Sequence, residues 1–246
     1  MRPGLLELCR SAPILRKFAA PDAIALTFDD GPDPVSTRQV LALLREYNAR
    51  ATFFVLGRQA ELYPEVLRDI RASGSEIGNH SYDHPSFSGL SARQSIAELR
   101  RGRLAIGAAG AKLFRPPYGH ARRPTPLLAA LAGYATVGWS VDARDWERRD
   151  GDAMAAELTK KVSPGDIVLL HDRLENAEDE RAFNRDSMLA ALAAFLRAKA
   201  GNFHFRTVGE MMAAHAPIYE QAWDQALQLR DLAEIRANIG KLKRNG

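Results

Sequence analysis

Two adjacent carboxylates, Asp29 and Asp30 in TFDDGP, are the first residues along the chain whose placement bears on chemistry. Neighbouring carboxylates repel, and one of them is usually neutralised by a cation or made to hold a proton. A plain turn is the competing account, because Asp-Gly and Gly-Pro both favour one. Further on, NHSYDHP carries His80 and His84. Two histidines four apart meet on one face of a helical turn and can converge on a metal. Two imidazoles and one carboxylate make three protein ligands and leave positions open for water, the layout of a catalytic divalent-metal site rather than a structural one. Cys9 is the single cysteine among 246 residues, so neither an intrachain disulfide nor a Cys-rich zinc module is available. Any metal must be held by His and carboxylates.

Three more polar groups fit the same chemistry. Arg115-Pro-Pro-Tyr118-Gly119 reads as a rigid turn in which two prolines fix the backbone. There the amide of Tyr118 can point at a developing oxyanion while the Arg115 guanidinium pairs with a carboxylate. His171 follows an apolar run, so its pKa depends on its neighbours, and either Asp142 or Asp145 could orient it. Trp146 could wall a pocket and offer a sugar ring an apolar face, with Pro117 on the same pocket.

These residues need a scaffold that brings them together. Short apolar runs alternate with amphipathic stretches from residue 23 on. The predicted strands are 23–29, 51–57, 76–80, 113–115, 134–141, 166–171 and 203–208, and the predicted helices are 35–47, 59–72, 91–108, 124–132, 152–162 and 186–199. Such alternation argues for a parallel α/β sheet or barrel, and nearly continuous apolar runs such as DIVLLH fit burial on both faces. Ser91 with Gln94 forms a capping box, and Pro164-Gly165 stops the fifth helix. The polar residues close the strands on which they lie. In parallel α/β folds, active sites assemble at that C-terminal edge. Segment 173–186 is charged and reads as a loop or lid, and Trp223, Leu227, Ile235 and Ile239 suggest a C-terminal helix packed outside the barrel.

Composition narrows the class. With 46% hydrophobic and 26% charged residues the chain is an ordinary globular protein. Its net charge of +4 lies at the ends: residues 1–20 carry +3 and residues 236–246 carry +4, leaving residues 21–235 at −3. An acidic body disfavours a nucleic-acid reader. The N-terminus lacks the apolar run of a signal peptide, and no stretch reaches the ~18 to 20 apolar residues of a spanning helix. The expectation is a cytoplasmic protein, with its basic tails able to make weak peripheral contact with the inner membrane.

TFDDGP, NHSYDHP, RPPYG, VDARDW and IVLLHD occur in that order, and together they resemble the five motifs of the polysaccharide deacetylases of carbohydrate esterase family 4, the NodB-homology domain. The resemblance covers about residues 20–212 and extends, in its compact size, to cytoplasmic chitooligosaccharide deacetylases. It implies a distorted (β/α)7-8 barrel at 21–215; the basic segment at 1–20 and the C-terminal helix and tail at 216–246 lie outside the resemblance. It also implies N-deacetylation of an N-acetylated amino sugar with a divalent metal, most often zinc, although cobalt or another transition ion would serve; the substrate is an oligo- or polysaccharide or a lipid-linked glycan. By motif position Asp29 corresponds to the general base, Asp30, His80 and His84 to the metal ligands, and Arg115 to the residue that holds the base. Tyr118 corresponds to the oxyanion-hole amide, Asp145 to the support of the acid and His171 to the acid itself. The family often continues its last motif as HDG, whereas Arg173 follows Asp172 here. A metal-dependent amidase or deformylase of the same fold, acting on a non-glycan or formylated substrate, is the second reading.

Overall fold

The computed structural model describes residues 13–119, 125–147, 149–177 and 179–220. Among these residues ten strands form one sheet: β1 (Ile14–Phe18), β2 (Ala23–Asp29), β3 (Thr52–Val55), β4 (Glu76–Asn79), β5 (Leu113–Phe114), β6 (Ala135–Val137), β7 (Val141–Asp142), β8 (Ile167–His171), β9 (His204–Arg206) and β10 (Pro217–Glu220). The eight helices among the described residues are α1 (Ser36–Glu46), α2 (Gly57–Leu62), α3 (Pro64–Ala72), α4 (Ala92–Ile106), α5 (Thr125–Leu131), α6 (Gly151–Lys161), α7 (Asp186–Lys199) and α8 (Val208–Ala214). No helix among the described residues is long and apolar enough to cross a membrane.

The sheet runs β10-β1-β6-β5-β4-β3-β2-β8-β7, with β9 also paired to β2. All of its ladders are parallel except β1–β10. Every residue of β2, AIALTFD, is buried, as a central parallel strand covered on both faces requires. The sheet curls until β1 meets the start of β8. There Lys17 and Asp166 form an antiparallel bridge, their side chains pair at 2.8 Å, and the Phe18 amide donates to the Gly165 carbonyl. The result is the distorted α/β barrel that the motifs imply.

The departures from the predicted elements have local causes. Pro64 occupies the first turn of α3, so the helix predicted at 59–72 divides into α2 and α3. The strand predicted at 134–141 divides because the chain changes partners at the seam. The Gly138 amide donates to Leu15 in β1, whereas the Ser140 amide donates to Ile167 in β8. β1 was not predicted, since Arg16 and Lys17 interrupt its apolar pattern. Both charges find partners, Arg16 on Glu220 and Lys17 on Asp166, while Leu15 and Phe18 enter the core. β1 falls within the segment read as an N-terminal tail. The strand predicted at 203–208 stops at Arg206 because Thr207 and Glu210 form a capping box that starts α8. After α8 the chain adds β10, and the predicted C-terminal helix lies outside the described residues.

Phe18 links the barrel seam to Leu15, Val137 and Ile167 in one apolar cluster. Phe18→Ala should therefore destabilise the protein by about 3–5 kcal/mol, the usual cost of emptying a buried aromatic site. Urea denaturation reads this as a lower midpoint; a change below about 1 kcal/mol would mean that β1 is dispensable.

Candidate metal and hydrolytic site

β2, β4, β5 and β8 end at the same edge of the barrel, and the pairing register sets Asp29 directly beside His171. Asp29, Asp30, His80, His84, Tyr118, Trp139, Trp146 and His171 line a cavity of about 520 Å³ there. A larger depression of about 960 Å³ lies between α1 and α3, but two of its arginines are already paired, Arg38 with Asp69 and Arg50 with Glu210.

Arg115 is fully buried. It donates from Nη1 to Asp29 Oδ1 and Thr27 Oγ1, both at 2.8 Å, and from Nη2 to the Gly138 carbonyl at 2.8 Å. Its guanidinium lies over the Phe54 ring, 4.2 Å from the centroid. Burial lowers its pKa, and Asp29 opposes that loss. The expected pairing of Arg115 with a carboxylate is thus present in the fold, and its partner is Asp29.

Asp30, His80 and His84 are buried and present ligand atoms within 4.8 Å of one another. The Nε2 atoms of His80 and His84 lie 3.3 and 3.2 Å from Asp30 Oδ1, yet that oxygen accepts no hydrogen bond. An unbonded buried carboxylate oxygen between two imidazoles is costly by itself and fits a cation shared among the three. His80 Nδ1 contacts the Arg115 carbonyl at 2.8 Å. A carbonyl can only accept, so Nδ1 carries the proton and Nε2 keeps its lone pair for a metal. Asp30 Oδ2 accepts from the Glu175 amide at 2.8 Å.

The two histidines do not share a helical turn, contrary to the reading of their spacing. His80 ends β4, and His84 follows an irregular loop in which Ser81 and His84 take positive φ, 76° and 61°. Tertiary bonds shape this loop. Glu98 of α4 accepts from the amides of Tyr82 and Asp83 at 2.9 and 3.0 Å, and Ser81 Oγ accepts from the His84 amide at 3.1 Å.

Asp145, not Asp142, orients His171. Asp145 Oδ1 lies 2.9 Å from His171 Nδ1 and Oδ2 accepts the His171 amide at 2.9 Å, whereas Asp142 caps the Arg144 amide. Burial disfavours the imidazolium, yet Asp145, Asp30 and Asp29 together raise its pKa to about 9. Tyr118 has a positive φ of 58° in the turn Pro117–Gly119, and its ring packs on His84 at 4.5 Å. Trp146 is 43% exposed at the rim, and Pro117 is buried and outside the lining.

Segment 173–186 forms part of the site. Leu174, Asn176 and Ala177 line the cavity, and Asn176 donates to the Tyr118 hydroxyl at 2.9 Å. Trp139 was missed because it reads as one more apolar strand residue. The Glu175 amide was missed because a backbone donor leaves no mark in residue type.

The chain matches the sequence profile of the family described as polysaccharide deacetylase over residues 17–137. It is 38% identical over 200 residues to a chitooligosaccharide deacetylase of Sinorhizobium fredii, covering 78% of this chain and 92% of that protein. The chain belongs to the polysaccharide deacetylase family. A peptidoglycan-N-acetylglucosamine deacetylase of Bacillus cereus is likewise 38% identical over 194 residues, covering 77% of this chain and 87% of that protein. Among solved structures, a family 4 carbohydrate esterase from Streptomyces lividans in complex with acetate superposes with a TM-score of 0.69 at 31% identity, over 80% of this chain and 98% of that one. As a polysaccharide deacetylase the chain is a metal-dependent hydrolase acting on N-acetyl amides.

Replacing Arg115 with Met should leave Asp29 buried without its cation and cost about 3–5 kcal/mol in chemical denaturation, because breaking a buried pair strands the other charge. The double variant Arg115→Met with Asp29→Leu should recover part of that loss. Equal stability of the single variant and the parent would show the pair to be energetically idle.

Proposed function

We propose that this polysaccharide deacetylase removes the acetyl group from N-acetylglucosamine units of an oligo- or polysaccharide, releasing acetate and a free amine. The observation that carries the reading is the convergence, in one cavity, of the Asp30–His80–His84 cluster with two opposed proton-transfer groups, Asp29 and His171. The names of the two bacterial relatives, one acting on chitooligosaccharide and the other on peptidoglycan N-acetylglucosamine, supply the sugar.

Asp30, His80 and His84 would hold a divalent ion, zinc being the one we favour for two imidazoles and one carboxylate. Such an ion supplies Lewis-acid polarisation of the amide carbonyl and a lowered pKa for nearby water. Asp29 takes the proton of the attacking water while Arg115 fixes the carboxylate. The Tyr118 amide donates to the carbonyl oxygen as negative charge develops there. As the C–N bond breaks, His171 gives its proton to the departing nitrogen, and Asp145, bound at Nδ1, leaves Nε2 as the donor. Trp139 and Trp146 present aromatic surface to the sugar.

Acetate release from N-acetylglucosamine oligomers of increasing length, with zinc, cobalt or no metal, tests the function. Chelation should abolish release and zinc should restore it; full turnover by a protein shown metal-free by elemental analysis would refute the mechanism. Asp29→Asn should retain metal and lose about 10²- to 10⁴-fold in kcat, the range for loss of a general base. Asp30→Asn should bind metal weakly, and reversed metal contents would invert the assignment within the pair.

The pH profile tests the acid. The imidazolium persists above the ordinary 6.5, so activity that needs it should be present at neutral pH and lost as pH rises toward about 9. A cation at Asp30 offsets the contribution of that carboxylate, placing the limb between these two values. Asp145→Asn should move the limb down. An unmoved limb would assign the proton to another group.

A further inference from the structure

Arg185 belongs to none of the five motifs and closes the charged segment that precedes α7. Its side chain is 4% exposed, although a buried guanidinium is costly to desolvate and an apolar residue could have closed the loop. All but one of its hydrogen bonds go to Asp145 or His171, on the acid side of the site. Nη2 donates to Asp145 Oδ2 and, at 3.1 Å, to the His171 carbonyl, which Nε also reaches at 3.2 Å. Nη1 donates to the Asp145 carbonyl at 3.1 Å and to Ala182 at 2.9 Å. Asp145 is therefore held from both sides, with Arg185 on Oδ2 and the His171 ring on Oδ1.

We propose that Arg185 is a positioning residue of the deacetylation: it fixes the plane of Asp145 so that His171 keeps Nε2 toward the leaving nitrogen, and it draws on the charge of Asp145 so that the imidazolium can release its proton. This inference rests on the reading of His171 as the acid. The charges acting on the imidazole are Asp29 and Asp30 from the end of β2, Asp142 at the end of β7 and Asp145 after it. Arg115 is committed to Asp29, and Arg144 to Glu147. Arg185 is the cation bound to Asp145 on the side away from the ring. Without it, Asp145 faces the imidazole with no cation of its own, and the ring would hold its proton more tightly. Segment 173–186 thus serves both halves of the chemistry, since the Glu175 amide near its start bonds Asp30 and Arg185 near its end bonds Asp145.

The test uses the zinc-loaded protein with R185Q, which removes the charge, and R185K, which keeps the charge and loses the fork. Acetate-release kinetics and the 15N titration of the His171 imidazole are followed together. R185Q should lower kcat roughly 10- to 100-fold, the usual cost of removing a partner that orients a functional side chain. KM and zinc content should be unchanged, and both the imidazole titration and the high-pH limb should move upward. R185K should keep the titration near that of the parent while kcat stays reduced. A parental kcat and titration in R185Q, or a reduced kcat with the titration unmoved, would overturn the proposal. Should R185Q fail to fold, R185K decides: a parental kcat overturns it, and a reduced kcat with unchanged KM and zinc content supports it. If no glycan is turned over even by the parent, the proposed function fails, while the imidazole titration still reads the role of Arg185.

Discussion

A guanidinium with no exposed surface sits where three parts of the barrel meet. Arg115 follows β5, its donors reach Asp29 and Thr27 of β2 and the Gly138 carbonyl at the seam, and its own carbonyl holds His80 after β4. The base and one ligand are therefore fixed by the same residue through different atoms. Burying this charge is tolerable only because each of its three nitrogens finds an acceptor and because the face of Phe54 lies against it. Movement of the β5 edge would disturb base, ligand and seam together. That explains why such short strands, two residues in β5 and two in β7, can still define a site.

The strand ends set the positions, and strained connections aim the side chains. Six described non-glycine residues have positive φ: Asp30, Asn48, Ser81, His84, Tyr118 and Arg144. All but Asn48 are in or beside the cavity. Conformations of this kind cost about 1–3 kcal/mol each and persist where the surroundings overdetermine them. Glu98 under the amides of Tyr82 and Asp83, Glu175 on Asp30, and Asp142 on the Arg144 amide are such surroundings. Asp172 belongs with them. Its buried carboxylate accepts from Thr37 and packs so closely on Gly31 that a side chain there would collide with it, and burial raises its pKa to about 7.

What could be read from the residues alone follows from this division. Polar residues at the ends of apolar runs stand out, so Asp29, Asp30, His80, Arg115 and His171 could be placed on one edge before any coordinates. A histidine spacing of four was mistaken for a helix, because side-chain periodicity does not register the Glu98 carboxylate that shapes the loop from another element. Arg185 was invisible for a related reason. An arginine in a charged stretch has the composition of solvated surface, and only folding shows that its charge is buried against Asp145. β1 was hidden by Arg16 and Lys17, whose partners lie at Glu220 and Asp166, far beyond any local window.

The antiparallel pairing of β1 with β10 makes Ile14 and Glu220 direct partners, so the chain enters and leaves the barrel at points roughly 5 Å apart. Two of the basic residues counted among 1–20, Arg16 and Lys17, take part in this closure, Arg16 against Glu220 on β10 and Lys17 against Asp166 before β8. Charges that composition assigns to a basic segment are therefore internal fastenings of the barrel, and high salt or a charge reversal at either position acts on the seam rather than on a surface.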